Sequence, residues 1–156
     1  MRSAGAHALA DALSQKGFKA KAVTDLQAAV GQADIISCAT LSTEPLIHGN
    51  WLRPGTHLDL IGSFTPEMCE ADTACFDKTA VYVDTPEALM KSGDLLNVLS
   101  AGVMQANDIR GTLHGLVCGE VGGRRGALEI TVFKAVGSAL ENLAAAAYVY
   151  DHYRNK

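Results

Sequence analysis

The stretch HLDLIGSFTPEMCEAD (57–72) decides the fold. Its first half alternates and then turns apolar, as a strand does, and the run breaks at Gly62-Ser63 with Phe64 next. A strand ending in Gly-Ser leaves room at its carboxyl end, because glycine carries no Cβ. Two more runs share the character of 56–61: DIISCA (34–39), compact and β-branched, and AVYV (80–83). Helical segments are expected around them at 4–15, 25–30, 66–76 and 86–91, with Thr24 capping the second and Gly31 ending it. Residues 18–23 alternate as a further strand would. Strands alternating with helices specify a parallel sheet.

Beyond Ser92-Gly93 the pattern shifts. Residues 94–103 and 107–119 read as helices, and 120–126 as a glycine- and arginine-rich turn. The segment 131–153 places Val132, Val136, Leu140, Leu143, Ala147 and Tyr150 near a helical period. The expected fold is therefore α/β: a parallel sheet with flanking helices and a long C-terminal helix.

Composition sets limits. A chain of 156 residues with 48% hydrophobic and 19% charged residues can build one sizeable core. A net charge of −4, with Arg124-Arg125 the one arginine pair, argues against a nucleic-acid partner. Cysteines at 38, 69, 75 and 118 match neither a zinc knuckle nor a redox CxxC, and are expected to be free thiols in a reducing cytoplasm. No cluster has the spacing of a metal site. No apolar run approaches the roughly 20 residues of a membrane span, and the N-terminus lacks a signal peptide's apolar core. His57 and Asp59 read as structural strand residues and His48 as a turn residue; His114 and His152 receive no role. A dinucleotide-binding βαβ unit should also carry G-x-G-x-x-G, whose glycines let backbone amides reach the pyrophosphate, and the sequence has none.

Three segments carry a resemblance. ADIISCATLSTEPLIHGNWLRPGTHLDLIGSFTPEMCEAD (33–72), SGDLL (92–96) and EITVFKAVGSALENLAA (129–145) together resemble the ornithine cyclodeaminase/μ-crystallin family. The form GSFTPEM-E-AD is most similar to the Δ1-pyrroline-2-carboxylate (ketimine) reductase branch. The resemblance implies an N-terminal substrate and dimerisation domain, a Rossmann domain, and a C-terminal helix that returns to the first domain. On that template the chain starts near the end of the second Rossmann strand, without the N-terminal domain, the first strand or the glycine turn: 1–126 would be an incomplete NAD(P)-binding unit, a partial Rossmann-type parallel sheet, and 127–156 the C-terminal helix that packs on the absent domain. It implies hydride transfer between NAD(P) and a cyclic imino or amino acid, by a protein that aligns the nicotinamide with the imine carbon. A homodimer is implied for the whole protein.

The resemblance also assigns residues. It puts Thr40 against the cofactor, with Ser42 a polar neighbour; the plain alternative is a cap for the next turn. Ile61, Gly62 and Ser63 would flank the nicotinamide, Glu129 would approach it through its backbone, and Ile130 would approach the substrate. Arg2 and Ser3 would follow the second Rossmann strand, where an Arg meets the 2′-phosphate and an acid the ribose; the lack of an acid puts NADP(H) ahead of NAD(H). Phe64 stands where cyclodeaminases have an aspartate, so no catalytic residue is assigned and Phe64 would border the substrate, or else pack under the following segment. Met68 replaces a cofactor-contacting lysine, and Cys69 an arginine. Lys134 is expected on a helix surface. The reading is an imine reductase fragment, inactive alone; ornithine cyclodeaminase and a non-enzymatic μ-crystallin-like binding protein are its rivals.

Overall fold

The computed structural model describes residues 3–154. Its centre is an all-parallel sheet of five strands: β1 (Ile35–Cys38), β2 (His57–Leu60), β3 (Ala80–Val83), β4 (Gly111–Thr112) and β5 (Thr131–Lys134). The spatial order is β1-β2-β5-β3-β4, so the last strand in sequence inserts between the second and third. Register sets Ile36 beside Leu58, Leu58 beside Val132, and Val132 beside Val81. These side chains point to one face, where they are buried with Cys38, Leu60 and Val83. Helices α1 (Ser3–Gln15), α2 (Leu26–Val30), α3 (Ala88–Lys91), α4 (Gly93–Ser100), α5 (Leu113–Val117) and α6 (Ala139–Arg154) complete the fold. Val30 of α2, Ala88 of α3, and Leu95 and Val98 of α4 close the core on that face.

The other face is open at its β1 edge and covered toward β3, where Ala80, Tyr82 and Thr131 are buried. Ile35 is 70% exposed, and the strand expected to be buried throughout alternates exposed and buried residues. Polar pairs bridge strands here: Ser37 donates to Asp59 at 2.7 Å, and His57 Nδ1 lies 2.7 Å from Thr131 Oγ1. The structural reading of His57 and Asp59 agrees with this placement.

Several elements differ from expectation, each for a local reason. The side chain of Asp25, not Thr24, accepts from Ala28 N–H and caps α2. Residues 18–23 pair with no described strand, and Phe18 is 63% exposed. The expected helix over 66–76 exists only as a 3₁₀ turn at Thr73–Phe76. Its backbone is committed elsewhere: Cys69 N–H donates to Ser42 C=O, Leu46 and Ile47 N–H both donate to Glu70 C=O, and Asp72 N–H donates to Ile47 C=O. The expected helix over 107–119 divides into a 3₁₀ turn (Ala106–Asp108), β4 and the short α5. The segment 131–153 opens as a central strand, and α6 begins only at Ala139. The break between sheet and C-terminal helix thus lies between Lys134 and Ala139, and 131–134 belongs with the sheet.

His48 is more than a turn residue. Its Nδ1 lies 2.8 Å from Asp72 Oδ2, while Asp72 Oδ1 accepts from Gly49 N–H and Cys75 N–H. Burial would raise the Asp72 carboxyl, but the Gly49, His48 and Cys75 bonds outweigh it and hold it below its usual range. All four cysteines are free. Burial pushes the Cys38 thiol up to about 12 and Cys69 to about 11, and raises Cys75 as well. Cys118 alone is exposed. Among the described residues no helix is long and apolar enough to cross a membrane.

Candidate functional site

Open parallel sheets take ligands outside the carboxyl ends of their strands. Here that edge is organised by buried carboxylates. Glu70, fully buried, accepts from Thr40 N–H at 2.6 Å and Thr40 Oγ1–H at 2.8 Å through Oε1. Its Oε2 accepts from Gly62 N–H at 2.7 Å. One side chain thus ties the second residue beyond β1 to the second residue beyond β2. Gly62 fits because it has no side chain: a Cβ there would lie 2.0 Å from Thr40 O and 2.4 Å from Glu70 Oε1.

A second carboxylate supports the first. Asp94, in the opening turn of α4, accepts through Oδ1 from Glu70 N–H at 2.8 Å and Ala71 N–H at 3.2 Å. Its Oδ2 lies 3.4 Å from Lys134 Nζ at the end of β5. Both side chains are fully enclosed, so Lys134 is an interior residue and not the helix-surface residue expected. The reason is that TVFK forms a strand, which turns Lys134 toward the core face. Burial lowers the Lys134 ammonium, while Asp94, Glu70 and Asp84 pull it back upward; the net direction is down. Asp84, after β3, accepts through Oδ2 from Val136 N–H at 2.8 Å and Gly137 N–H at 2.7 Å. The ends of β1, β2, β3 and β5 are therefore fixed by Glu70, Asp94 and Asp84.

Thr40, Ser42, Ile61, Gly62, Ser63 and Phe64 all gather at this edge, since β1 and β2 are parallel neighbours in register. Their side chains divide. The Thr40 hydroxyl is spent on Glu70, and Ser63 is fully buried, donating to Met68 C=O at 2.7 Å and accepting from Asp94 N–H at 3.2 Å. Ser42 Oγ donates to Glu44 C=O at 2.6 Å. What faces outward is apolar: Leu41 at 73%, Ile61 at 40% and Phe64 at 45% exposure. This surface suits the flat face of a ring, and no side-chain acid or base stands at Phe64 to move a proton.

Glu129 and Ile130 lie elsewhere. They precede β5, at the amino end of the sheet, where Ile130 C=O accepts from Ala80 N–H. Glu129 pairs with Arg110 at 2.7 Å and accepts from Arg125 N–H at 2.7 Å. The β5 residues that do reach the carboxyl edge are Lys134 and, just beyond it, Ala135 to Gly137. Reading 131–153 as one helix hid that polarity. Arg2 lies outside the described residues, and Ser3 opens α1. Met68 is half-buried and contributes its carbonyl to Ser63, while Cys69 is buried.

Sequence reasoning missed Glu70, Asp84 and Asp94 as organisers of the edge. The one local signal for Asp94 is SGDLL, where an acid follows a Ser-Gly break at the start of an apolar helix. For a dinucleotide, the residues present fit the nicotinamide half: an apolar outer surface, a glycine at the strand end, and a fixed backbone. The pyrophosphate half would need a glycine turn that this sequence does not contain.

The family model described as "Ornithine cyclodeaminase/mu-crystallin family" matches residues 1–156. The chain is 45% identical to Δ1-pyrroline-2-carboxylate reductase of Paracoccus denitrificans over 82% of its own length and 41% of the relative's. It is also 45% identical to Protein SAR DEFICIENT 4 of Arabidopsis thaliana, over 79% of this chain and 38% of that protein. Thermococcus litoralis Δ1-pyrroline-2-carboxylate reductase, solved in complex with NADH and L-proline, superposes with a TM-score of 0.92 at 33% identity. That superposition covers 97% of this chain and 47% of the other. The chain thus spans less than half the length of these relatives. A family match over the whole length, on an all-parallel sheet of the expected kind, establishes that this chain belongs to the ornithine cyclodeaminase/μ-crystallin family.

Proposed function

We propose that this chain is the nicotinamide-holding half of an NAD(P)H-dependent reductase that converts a cyclic imino acid of the Δ1-pyrroline-2-carboxylate type to the amino acid. The observation that carries the reading is the carboxyl edge, where Thr40 and Gly62 are locked together on Glu70 beside the outward ring of Phe64. The bound cofactor supplies hydride to the C=N carbon. The chain's own part is to hold the floor under the nicotinamide rigid and to exclude water with Ile61 and Phe64. Phe64 cannot pair with an ammonium or accept a proton, so expulsion of ammonia from ornithine is disfavoured and reduction of a preformed cyclic imine is not.

For the cofactor, the relative solved with NADH favours NAD(H), while Arg2 and the absence of an acid beside it favour NADP(H). We place a small imino or amino acid as the substrate and a homodimer as the whole protein's assembly. Four free thiols support a reducing, cytoplasmic setting. Helix α6 exposes Leu140, Leu143, Tyr148, Val149, Tyr150 and Tyr153, more apolar surface than an isolated helix retains. This supports α6 as the segment that packs on the family's N-terminal substrate and dimerisation domain. Activity should therefore need that domain, and the 156-residue chain alone should not turn over.

A chimera tests the reading. This chain would replace the matching 47% of the Thermococcus litoralis reductase. The chimera is expected to oxidise NADH or NADPH in the presence of Δ1-pyrroline-2-carboxylate and to release no ammonia from ornithine. A folded chimera that binds NADH but leaves the cyclic imine unreduced, or that forms ammonia from ornithine, would refute it.

A further inference from the structure

Away from the carboxyl edge, three ligand-bearing side chains converge at α5. His114 and Cys118 stand one turn apart on this helix, on the same side, with Cys118 Sγ 3.6 Å from His114 Nε2. Glu120, two residues after Cys118, falls off the helical spacing and so is not read as a partner from the sequence, yet the backbone brings it back. Gly119 adopts a left-handed conformation (φ +73°), and Glu120 N–H and Val121 N–H both donate to Gly115 C=O, at 2.9 and 3.3 Å. This reversal lays the Glu120 carboxylate over Gly115, where a Cβ would stand 3.6 Å from Glu120 Oε2. The imidazole, thiol and carboxylate ligand atoms all lie within 4.8 Å of one another, and all three residues are exposed.

We infer that His114, Cys118 and Glu120 form a surface site for a zinc-like divalent cation, with a fourth position open to water. The geometry favours it. Bonds of about 2.3 Å to sulfur and about 2.0 Å to nitrogen, at a tetrahedral angle, set the two ligands about 3.5 Å apart. The Sγ–Nε2 separation of 3.6 Å matches this spacing; Sγ also lies 3.9 Å from Nδ1, so the exposed imidazole has to turn to aim Nε2 at a shared ion. Glu120 needs only to swing its carboxylate inward, and exposure lets it do so. A thiolate, an imidazole and a carboxylate are a borderline ligand set, suited to Zn(II) and Co(II) and poorly suited to Mg(II) or Ca(II). The expectation of no metal site is thereby revised, because sequence spacing shows only H-x3-C and not the turn that returns Glu120. The inference is independent of the imine reductase reading.

Co(II) titration of the full 156-residue chain under reducing conditions tests it. One equivalent should produce a thiolate-to-cobalt charge-transfer band that Zn(II) abolishes by displacement. Cys118→Ser should remove the band, and His114→Ala or Glu120→Gln should weaken Co(II) binding by about tenfold or more, each with an unchanged circular dichroism spectrum. Zn(II) should also slow iodoacetamide alkylation of Cys118 in the native chain but not in His114→Ala. The site is overturned if no band appears, if it persists in Cys118→Ser, or if the His114 and Glu120 variants bind Co(II) as the parent does. A thiol–imidazole contact without a metal would give the first of these results.

Discussion

Gly62→Ala is expected to unfold the chain or come close to it. The added methyl would stand 2.0 Å from Thr40 O and 2.4 Å from Thr40 N, and both are backbone atoms. Neither can step aside as a flexible side-chain end would, so relief requires separating the ends of β1 and β2 and breaking the bonds to Glu70. A loss upwards of about 4 kcal/mol follows, at the severe end for single substitutions and most of the stability of a marginal domain. Chemical denaturation with circular dichroism measures it. A midpoint close to that of the parent would mean that the two strand ends are not held in the contact described. Gly93, where a Cβ would meet Met68 O at 2.1 Å, forms a second close approach of the same kind.

Glu70→Ala should be the other large loss, by a different route. It removes the acceptors of three donors, Thr40 N–H, Thr40 Oγ1–H and Gly62 N–H, of which Gly62 is buried and Thr40 half-buried. Each stranded donor costs about 1–3 kcal/mol where water cannot reach it, and partial relaxation brings the sum to about 3–5 kcal/mol. Lys134 also loses a carboxylate that favours its charged form. Glutamine should not rescue. It offers one acceptor and one NH2 group, so either Thr40 or Gly62 would face a donor with a donor. If Glu70→Gln proves as stable as the parent, the two-sided role of this carboxylate is wrong.

How far the sequence disclosed this arrangement depended on whether each signal was local. β1, β2 and β3 were legible because each is a short apolar run bounded by breakers. β5 was not, because TVFK adjoins an alanine-rich helix and its Val132 and Val136 extend that helix's period backward. Misreading β5 then sent Lys134 to the surface, while Glu129 and Ile130, which the resemblance assigns to the nicotinamide and substrate, precede β5 at the amino end of the sheet. The segment 66–76 has helix-like composition, but Ser42, Asp94, Leu46 and Ile47 take its backbone hydrogen bonds. Those bonds span more than twenty residues and leave no periodic trace. Gly62-Ser63 read correctly as a special strand end, though the Ser63 hydroxyl turned out to serve the interior. The apolar outer surface beside it, Ile61 and Phe64, was visible from the opening stretch.

The central claim is that the nucleotide lies along the carboxyl ends of β1 and β2. Amide chemical shifts of the isotope-labelled chain, followed as NADH is added, test it most directly. The account predicts that the responding amides cluster at Thr40 to Ser42, Ile61 to Phe64 and Ala135 to Gly137. A response confined to the opposite end of the sheet, around Thr56, Glu129 and Ile130, would contradict it.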